Sequence, residues 1–134
     1  MSSAHRIPSP NDKLADDLFR VGAVKFGAFS LRAHRANPSL PLSPYYFDCR
    51  AVGHPKKPGP VPAALVTRIA MAMECLVADA GVKKIDCLAA VPHGAIPYAG
   101  HLALFLEGDP PTVRLAKREN DDGTTTVHDV DGDA

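Results

Sequence analysis

A short loop between an apolar run and a segment with helical spacing carries the clearest chemical signal in the sequence. Residues 92–97 (PHGAIP) follow the apolar residues 85–91 and open the segment at 97–107. A strand that turns through small residues into a helix leaves backbone N–H groups unpaired beside the positive end of the helix dipole. Such a loop can bind a phosphate or another anion. Taken alone, it also fits an ordinary crossover that binds nothing.

The 134 residues carry no net charge, but the charges are unevenly distributed. Residues 1–118 hold all fifteen Lys and Arg against nine Asp and Glu, a balance of +6. Residues 119–134 hold six acids and no base, a balance of −6. A basic body favours an anionic ligand, whereas an acidic end is typical of a solvated tail. We therefore expect one domain at 1–118 and a disordered tail at 119–134.

The composition argues against several classes of protein. No apolar run approaches the length of about 18 residues that a membrane span needs, and the first ten residues are polar. The lysine pairs at 56–57 and 83–84 lack interleaved aromatic residues, so nucleic acid is not an expected partner. Three cysteines without a CxxC pair indicate a reduced, cytoplasmic protein with buried thiols and no metal site. They are Cys49, Cys75 and Cys87.

The elements that must position the anion-binding loop follow from periodicity and from turn residues. Residues 10–21 begin with proline after a capping serine and place apolar residues at helical spacing, so a helix is expected there. Residues 24–31 alternate with a phase slip beside Gly27, which is typical of a bulged strand. After a proline-rich loop at 33–43, residues 45–52 return as the second strand of a hairpin.

The second half of the sequence alternates helix and strand. The longest helix is expected at 61–80, with an apolar stripe wide enough for burial on two sides. Residues 85–91 predict a buried parallel strand, 97–107 a helix and 112–117 a last strand. No element is expected after Arg118. The alternating order predicts an α/β fold with a mostly parallel sheet.

Three segments together resemble orotate phosphoribosyltransferase, whose members have segments such as KFGEFTLKSG, SPYFFN and GPAYKGIP. The corresponding segments here are residues 25–32 (KFGAFSLR), 43–48 (SPYYFD) and 91–97 (VPHGAIP). The resemblance covers about residues 14–119. It implies a helix and hairpin that form a hood beside the first part of a type I phosphoribosyltransferase sheet, incomplete at its C-terminal end. It also implies transfer of phosphoribosyl from phosphoribosyl pyrophosphate to orotate, which gives orotidine monophosphate.

The resemblance implies substrate-binding roles for ten residues. The arginine that ends the first motif contacts phosphoribosyl pyrophosphate, and the aromatic pair of the second motif positions the flat base. The loop of the third motif grips pyrophosphate through its backbone, and two later cations neutralise the leaving group. With the lysine of the first motif, these residues are Lys25, Arg32, Tyr46, Phe47, Pro92, His93, Gly94, Ala95, Lys117 and Arg118. Magnesium is implied as a cofactor bound with the substrate, and no ligand for it and no catalytic residue is identified.

The sequence also departs from the family pattern. The family's phosphate-binding motif, an apolar strand with two acids and a TTG-like loop, is expected shortly after residue 130 and does not occur before Ala134. We therefore expect a fragment, a split enzyme that needs a complementing chain, or a repurposed fold. The alternative function is a non-catalytic module that binds a nucleotide or another anion, or that dimerises. Expected partners are orotate, phosphoribosyl pyrophosphate and a second copy or a complementing chain, without a membrane.

Overall fold

The computed structural model describes residues 10–54, 56–91, 93–119 and 125–130. These residues form a mixed α/β structure, as the alternating sequence pattern predicts. The strands lie in two small sheets, and one of the three described strand pairings is parallel, so a mostly parallel sheet is not found in this part of the chain. None of the described helices has the length and apolar character that a membrane crossing requires. In chain order the elements are α1 (Pro10–Arg20), β1 (Val24–Phe29), α2 (Ala33–Ala36), β2 (Ser43–Phe47), α3 (Ala63–Asp79), β3 (Leu88–Ala90), α4 (Ile96–Ala103), β4 (Thr112–Glu119) and β5 (Thr125–Val130).

β1 and β2 form an antiparallel hairpin in which Val24 pairs with Phe47 and Phe26 pairs with Tyr45. The register shifts between Phe26 and Phe29, which confirms the predicted bulge in this strand. Successive residues of a strand point to opposite faces. The ring centroids of Tyr45 and Phe47 accordingly lie 5.6 Å apart on one face of the hairpin.

β2 is shorter than the strand predicted at residues 45–52, because the chain leaves the hairpin at Asp48. The Asp48 N–H still donates to the carbonyl of Ala23 at 2.7 Å. Two residues later the Arg50 carbonyl accepts from the Val61 N–H at 3.1 Å, so the backbone now pairs with the segment before α3. This change of partner directs the chain from the hairpin towards the core.

The segment predicted as a proline-rich loop at residues 33–43 begins with the short helix α2, which was not predicted. The ring of His34 joins the two ends of this segment. Its Nδ1 accepts from the Leu31 N–H at 2.8 Å, and its Nε2 lies 3.1 Å from the Pro41 carbonyl oxygen. The loop is therefore held by side-chain hydrogen bonds that its composition does not reveal.

The core lies where α1 and α4 pack against α3. Its buried cluster consists of Ala23, Ala51, Val61, Leu65, Val66 and Tyr98. The predicted apolar stripe of α3 is buried only in its first half, since Leu65 is 1% exposed and Leu76 is 67% exposed. Burial of this helix on two sides is therefore not found within the described part of the chain.

The second sheet has the order β3-β4-β5, with β3 parallel to β4 and β4 antiparallel to β5. β3 is shorter than the strand predicted at 85–91, because its partner β4 begins only at Thr112, after two prolines that have no N–H to donate. One edge of β3 has no partner strand among the described residues.

β5 corrects the prediction that no element follows Arg118, because Thr125–Val130 pairs with β4. Four of its six residues are β-branched, which suits a strand, although residues 119–134 as a whole are acidic. Residues 120–124 and 131–134 of the predicted tail lie outside the described part of the chain. The division of the chain at residue 118 stays a prediction.

The three cysteines are free thiols, and all three are exposed. The prediction that they are buried as small apolar side chains is therefore wrong. Cys75 lies in the second half of α3, the part of the helix that the described residues leave uncovered, while Cys49 and Cys87 lie between elements. Exposure of these thiols follows from where the packed core ends.

Candidate functional site

A cleft of about 380 Å³ opens between the end of the hairpin and the beginning of α4. One wall is formed by Tyr46, Phe47, Cys49 and Arg50, and the other by Gly94, Ala95 and Tyr98. The cleft therefore brings together the aromatic pair and the small-residue loop that the sequence had singled out separately. Because it contains residues from both motifs, we treat it as the candidate site.

The loop before α4 provides backbone donors to this cleft. Ala95 donates its N–H to the Val91 carbonyl at 3.3 Å, and Ile96 donates to the His93 carbonyl at 3.4 Å. The N–H groups of His93 and Gly94 have no hydrogen-bond acceptor among the described residues. A side chain at Gly94 would meet no atom within 4 Å, so the space beside its backbone is open. The loop thus keeps part of the donor set that an anion site needs.

Tyr98 ties the two walls of the cleft together. Its hydroxyl donates a hydrogen bond to the main-chain carbonyl of Cys49, which joins α4 to the segment after β2. Burial, together with the nearby Cys49 and Asp48 groups, raises the pKa of Tyr98 to about 12. The phenol therefore stays protonated at neutral pH and remains a donor to this carbonyl.

A buried aspartate organises the cations behind the aromatic wall. The Asp48 side chain is 4% exposed and accepts from Arg50 Nε at 2.8 Å, from Arg50 Nη2 at 3.0 Å and from Lys25 Nζ at 2.8 Å. Hydrogen bonds from Arg50, opposed by burial and assisted by Lys25, hold the pKa of Asp48 well below its usual range. The carboxylate is therefore ionised at neutral pH, and its cluster with two cations keeps one net positive charge.

The backbone of Arg50 is packed against Gly59 in the loop before α3. A Cβ at Gly59 would lie 2.1 Å from the Arg50 carbonyl oxygen, which no side chain can tolerate. The Gly59 N–H donates to the Ala51 carbonyl at 3.0 Å, next to the bond between Arg50 and Val61. The position of Arg50 is therefore fixed by its backbone as well as by its ion pair.

The histidines beside the cleft link two loops. His54 is 9% exposed, and its Nδ1 accepts from the Lys57 N–H at 3.1 Å. Its ring centroid lies 6.5 Å from that of His93 in a T-shaped arrangement. The lysine-bearing turn at 56–57 is therefore anchored next to the small-residue loop, although both lysines are exposed to solvent.

The structure gathers some of the predicted site residues and separates others. Tyr46, Phe47, Gly94 and Ala95 line the cleft. His93 is exposed in the loop beside it. The ammonium of Lys25 is bonded to Asp48.

Three further predicted residues do not line the cleft, and a fourth lies outside the residues that the structure describes. Arg32 lies immediately before α2 and does not line the cleft. Lys117 and Arg118 lie in β4, opposite Val127 and Thr126. Pro92 lies outside the described residues.

Sequence reasoning missed three contributors to the cleft, namely Cys49, Arg50 and Tyr98. It also gave no role to Asp48. An acid and a base, Asp48 and Arg50, stand two residues apart directly after the aromatic pair. This spacing is the sequence signal for their ion pair. Tyr98 gave no such signal, because its partner is a main-chain carbonyl 49 residues away.

The described residues do not fit a resident magnesium ion. No three His, Cys, Asp or Glu side chains among them come together as a group that could hold a metal. Asp48, the buried carboxylate behind the cleft, already accepts hydrogen bonds from two cations. A divalent ion would have to displace one of them to bind there.

Known proteins were compared with the chain as a whole. No family model matches the chain. It is 33% identical over 111 residues to the orotate phosphoribosyltransferase of Cenarchaeum symbiosum (strain A), a match that covers 81% of the chain and 48% of that relative. This chain is similar to part of an orotate phosphoribosyltransferase. It spans about half the length of the curated relative that it matches.

Two solved structures have a similar fold. The UMP synthase of Leishmania donovani matches with a TM-score of 0.54 and 25% identity, over 83% of this chain and 21% of the other. The orotate phosphoribosyltransferase of Francisella tularensis matches with a TM-score of 0.50 and 20% identity, over 87% and 50%. The expected likeness to a type I phosphoribosyltransferase fold is confirmed, and the chain covers only part of each solved relative.

Proposed function

We propose that the cleft binds orotate and the diphosphate part of phosphoribosyl pyrophosphate, and that the chain contributes this part of an orotate phosphoribosyltransferase site. In the reaction a ring nitrogen of orotate forms a bond to C1 of the ribose while the bond from C1 to pyrophosphate breaks. The observation that carries the proposal is the meeting of Tyr46 and Phe47 with Gly94 and Ala95 in one cleft. These are the residues that the resemblance assigns to the base and to the pyrophosphate.

The hairpin wall suits a flat heterocycle. Aromatic rings offer large, rigid apolar faces against which a planar base can stack. Tyr46 is packed against Phe29, with ring centroids 5.7 Å apart, so its ring is supported from behind. The Arg50 guanidinium at the same wall favours a ligand that carries negative charge.

The α4 wall suits the leaving diphosphate. The unpaired N–H groups of His93 and Gly94 lie in the turn before α4, where the helix dipole adds partial positive charge. Oriented donors of this kind stabilise charge that develops on a leaving group. In this proposal, magnesium arrives on the diphosphate, since the described residues do not provide a cluster of ligands for it.

The proposal includes a second contributor to the complete site. Orotate phosphoribosyltransferases extend beyond the region that this chain matches, so the groups for the ribose and the 5′-phosphate would come from a further segment or from a complementing chain. Self-association is an alternative to such a complementing chain. A second copy of this chain would cover the exposed second half of α3. A dimer and a cytoplasmic location stay predictions.

Calorimetric titration with orotate, orotidine monophosphate and phosphoribosyl pyrophosphate plus magnesium, together with a turnover assay, tests the function. We expect orotate to bind, and substitution Tyr46→Ala to weaken its affinity. Tyr45→Ala is the matched control, because Tyr45 is the neighbouring tyrosine of the same strand and does not line the cleft. Binding without turnover would support the non-catalytic alternative. Failure of all three ligands to bind would contradict the assignment of the cleft.

A further inference from the structure

We propose that Arg50 determines the specificity of the cleft by binding the carboxylate of the ligand, so that a carboxylated ring is selected over the same ring without that group. This inference rests on the proposed function, and it names a residue to which the family resemblance gives no role. Arg50 lines the cleft beside the two aromatic residues of the hairpin. Its side chain is 24% exposed, so the guanidinium is partly withdrawn from water and still accessible.

One edge of the Arg50 guanidinium is hydrogen-bonded to Asp48, and its other edge is available to a ligand. Asp48 accepts from Nε and from one N–H of Nη2, which form the side edge of the group. Nη1 makes no hydrogen bond to any described residue. A guanidinium has five N–H donors in a planar fork, so Nη1 and the second N–H of Nη2 can bind another carboxylate with two parallel hydrogen bonds.

The charge balance favours a second carboxylate at this place. Asp48 is the only acidic group bonded to Arg50 and Lys25 among the described residues, so two cations face one anion. A ligand carboxylate on the open edge of Arg50 would bring the cluster to neutrality. An uncharged ring would leave the excess positive charge unpaired in a partly desolvated position.

The geometry of the arginine is fixed before any ligand binds. Asp48 holds the side chain through two hydrogen bonds, and its low exposure keeps that pair out of water. The close approach of Gly59 and the bond from Val61 hold the backbone. A pre-organised donor loses little conformational entropy on binding, which increases the discrimination that its hydrogen bonds provide.

Orotate and uracil test this inference, because they share the same ring and differ in the carboxylate. We expect the unmodified chain to bind orotate more tightly than uracil. Arg50→Lys keeps the positive charge beside Asp48 but has no second edge, so we expect it to lose about 10- to 100-fold in orotate affinity with uracil affinity unchanged. Arg20→Gln is the control, since Arg20 also pairs with a buried aspartate and does not line the cleft.

The possible results separate this inference from the function on which it rests. If Arg50→Lys binds orotate as tightly as the unmodified chain does, Arg50 does not bind the carboxylate, and the cleft remains a base site. If the unmodified chain binds orotate no better than uracil, selection of the carboxylate is likewise contradicted. If neither ring binds to the unmodified chain, the proposed function and this inference both fail. Circular dichroism of each variant verifies that it is folded.

Discussion

The hydroxyl of Tyr98 donates a hydrogen bond to the carbonyl of Cys49, and through this bond the beginning of α4 is fixed to the segment that follows the hairpin. The two residues are 49 positions apart in the sequence, and they lie on opposite walls of the candidate cleft. The phenyl ring of Tyr98 also belongs to the buried core. The same residue therefore packs in the core and joins the two walls of the cleft.

Tyr98→Phe should destabilise the protein by about 1–3 kcal/mol, because it leaves the Cys49 carbonyl without its donor while the packing of the ring is kept. Denaturant unfolding at neutral pH measures this change. Tyr45→Phe is the control, since Tyr45 is half-exposed and lies outside the cleft lining. Equal effects of the two substitutions would mean that the bond to Cys49 does not stabilise the fold.

The same tyrosine predicts a loss of stability in alkali. Its pKa is about 12 in the folded protein, against an ordinary value of 10.0. Between these values the unfolded chain has lost the phenolic proton and the folded chain has kept it, so the free energy of unfolding falls as the pH rises. Tyr98→Phe should remove this part of the dependence. A slope that is unchanged in the variant would show that another group titrates there.

Asp48→Asn should destabilise the protein by about 1.5–3 kcal/mol, because the charge-assisted hydrogen bonds from Arg50 and Lys25 are weakened. Asp86→Asn is the control. Asp86 pairs with Lys84 at 2.7 Å, but both side chains are more than four-fifths exposed, and such surface pairs contribute about 0–1 kcal/mol.

The ion pair of Asp48 also predicts that the stability of the protein falls at acid pH. The folded-state pKa of this carboxylate lies below its ordinary value of 3.8, so its contribution is fully present above that value and is lost as the pH falls through the folded pKa. Asp48→Asn should reduce the loss of stability in acid. If the variant and the unmodified protein lose stability in parallel, Asp48 is not the group responsible.

Gly59→Ala should destabilise the protein by at least about 1–3 kcal/mol, because the new Cβ overlaps with the Arg50 carbonyl and the backbone must move to relieve the contact. It should also weaken orotate binding, since Arg50 moves with that backbone. Gly53→Ala is the control in the same loop, as a Cβ there meets no atom within 4 Å. A variant as stable as the control would contradict the close approach of Gly59.

Local patterns predicted the elements better than they predicted the contacts of the site. The bulge in β1 and the start of α4 follow from residues within a few positions, and both are found. The end of β2 was misplaced because Arg50 pairs with the distant Val61 rather than with β1. β5 was missed because the six acids of residues 119–134 indicated a solvated tail, although four of the six residues of β5 are β-branched.

The residues of the candidate site likewise fall into two groups: those that a short motif predicts and those that depend on tertiary contacts. Tyr46, Phe47, Gly94 and Ala95 were found because each pair lies in one short motif. Arg50 was not found, since its importance comes from the buried side chain of Asp48 and from the approach of Gly59, and neither burial nor close approach is visible in one sequence. A motif can therefore locate a cleft, whereas the polar groups that complete its chemistry depend on tertiary contacts.

One leucine from each half of α3 tests which part of this helix is buried in the folded protein. Leu65→Ala should destabilise the protein by about 2–5 kcal/mol, because Leu65 is 1% exposed and its removal leaves a cavity. Leu76→Ala on the same helix should change the stability by less than about 0.5 kcal/mol, since Leu76 is 67% exposed. Helix propensity favours alanine over leucine only slightly, so the difference between the variants reports burial.

Measuring both variants over a range of protein concentrations extends this test to self-association. If α3 is covered by a second copy, Leu76→Ala becomes destabilising as the concentration rises, because the apolar side chain is then buried in an interface. If its effect stays small at every concentration while Leu65→Ala keeps its large effect, the second half of α3 faces solvent in this chain. A dimer would then have to use another surface.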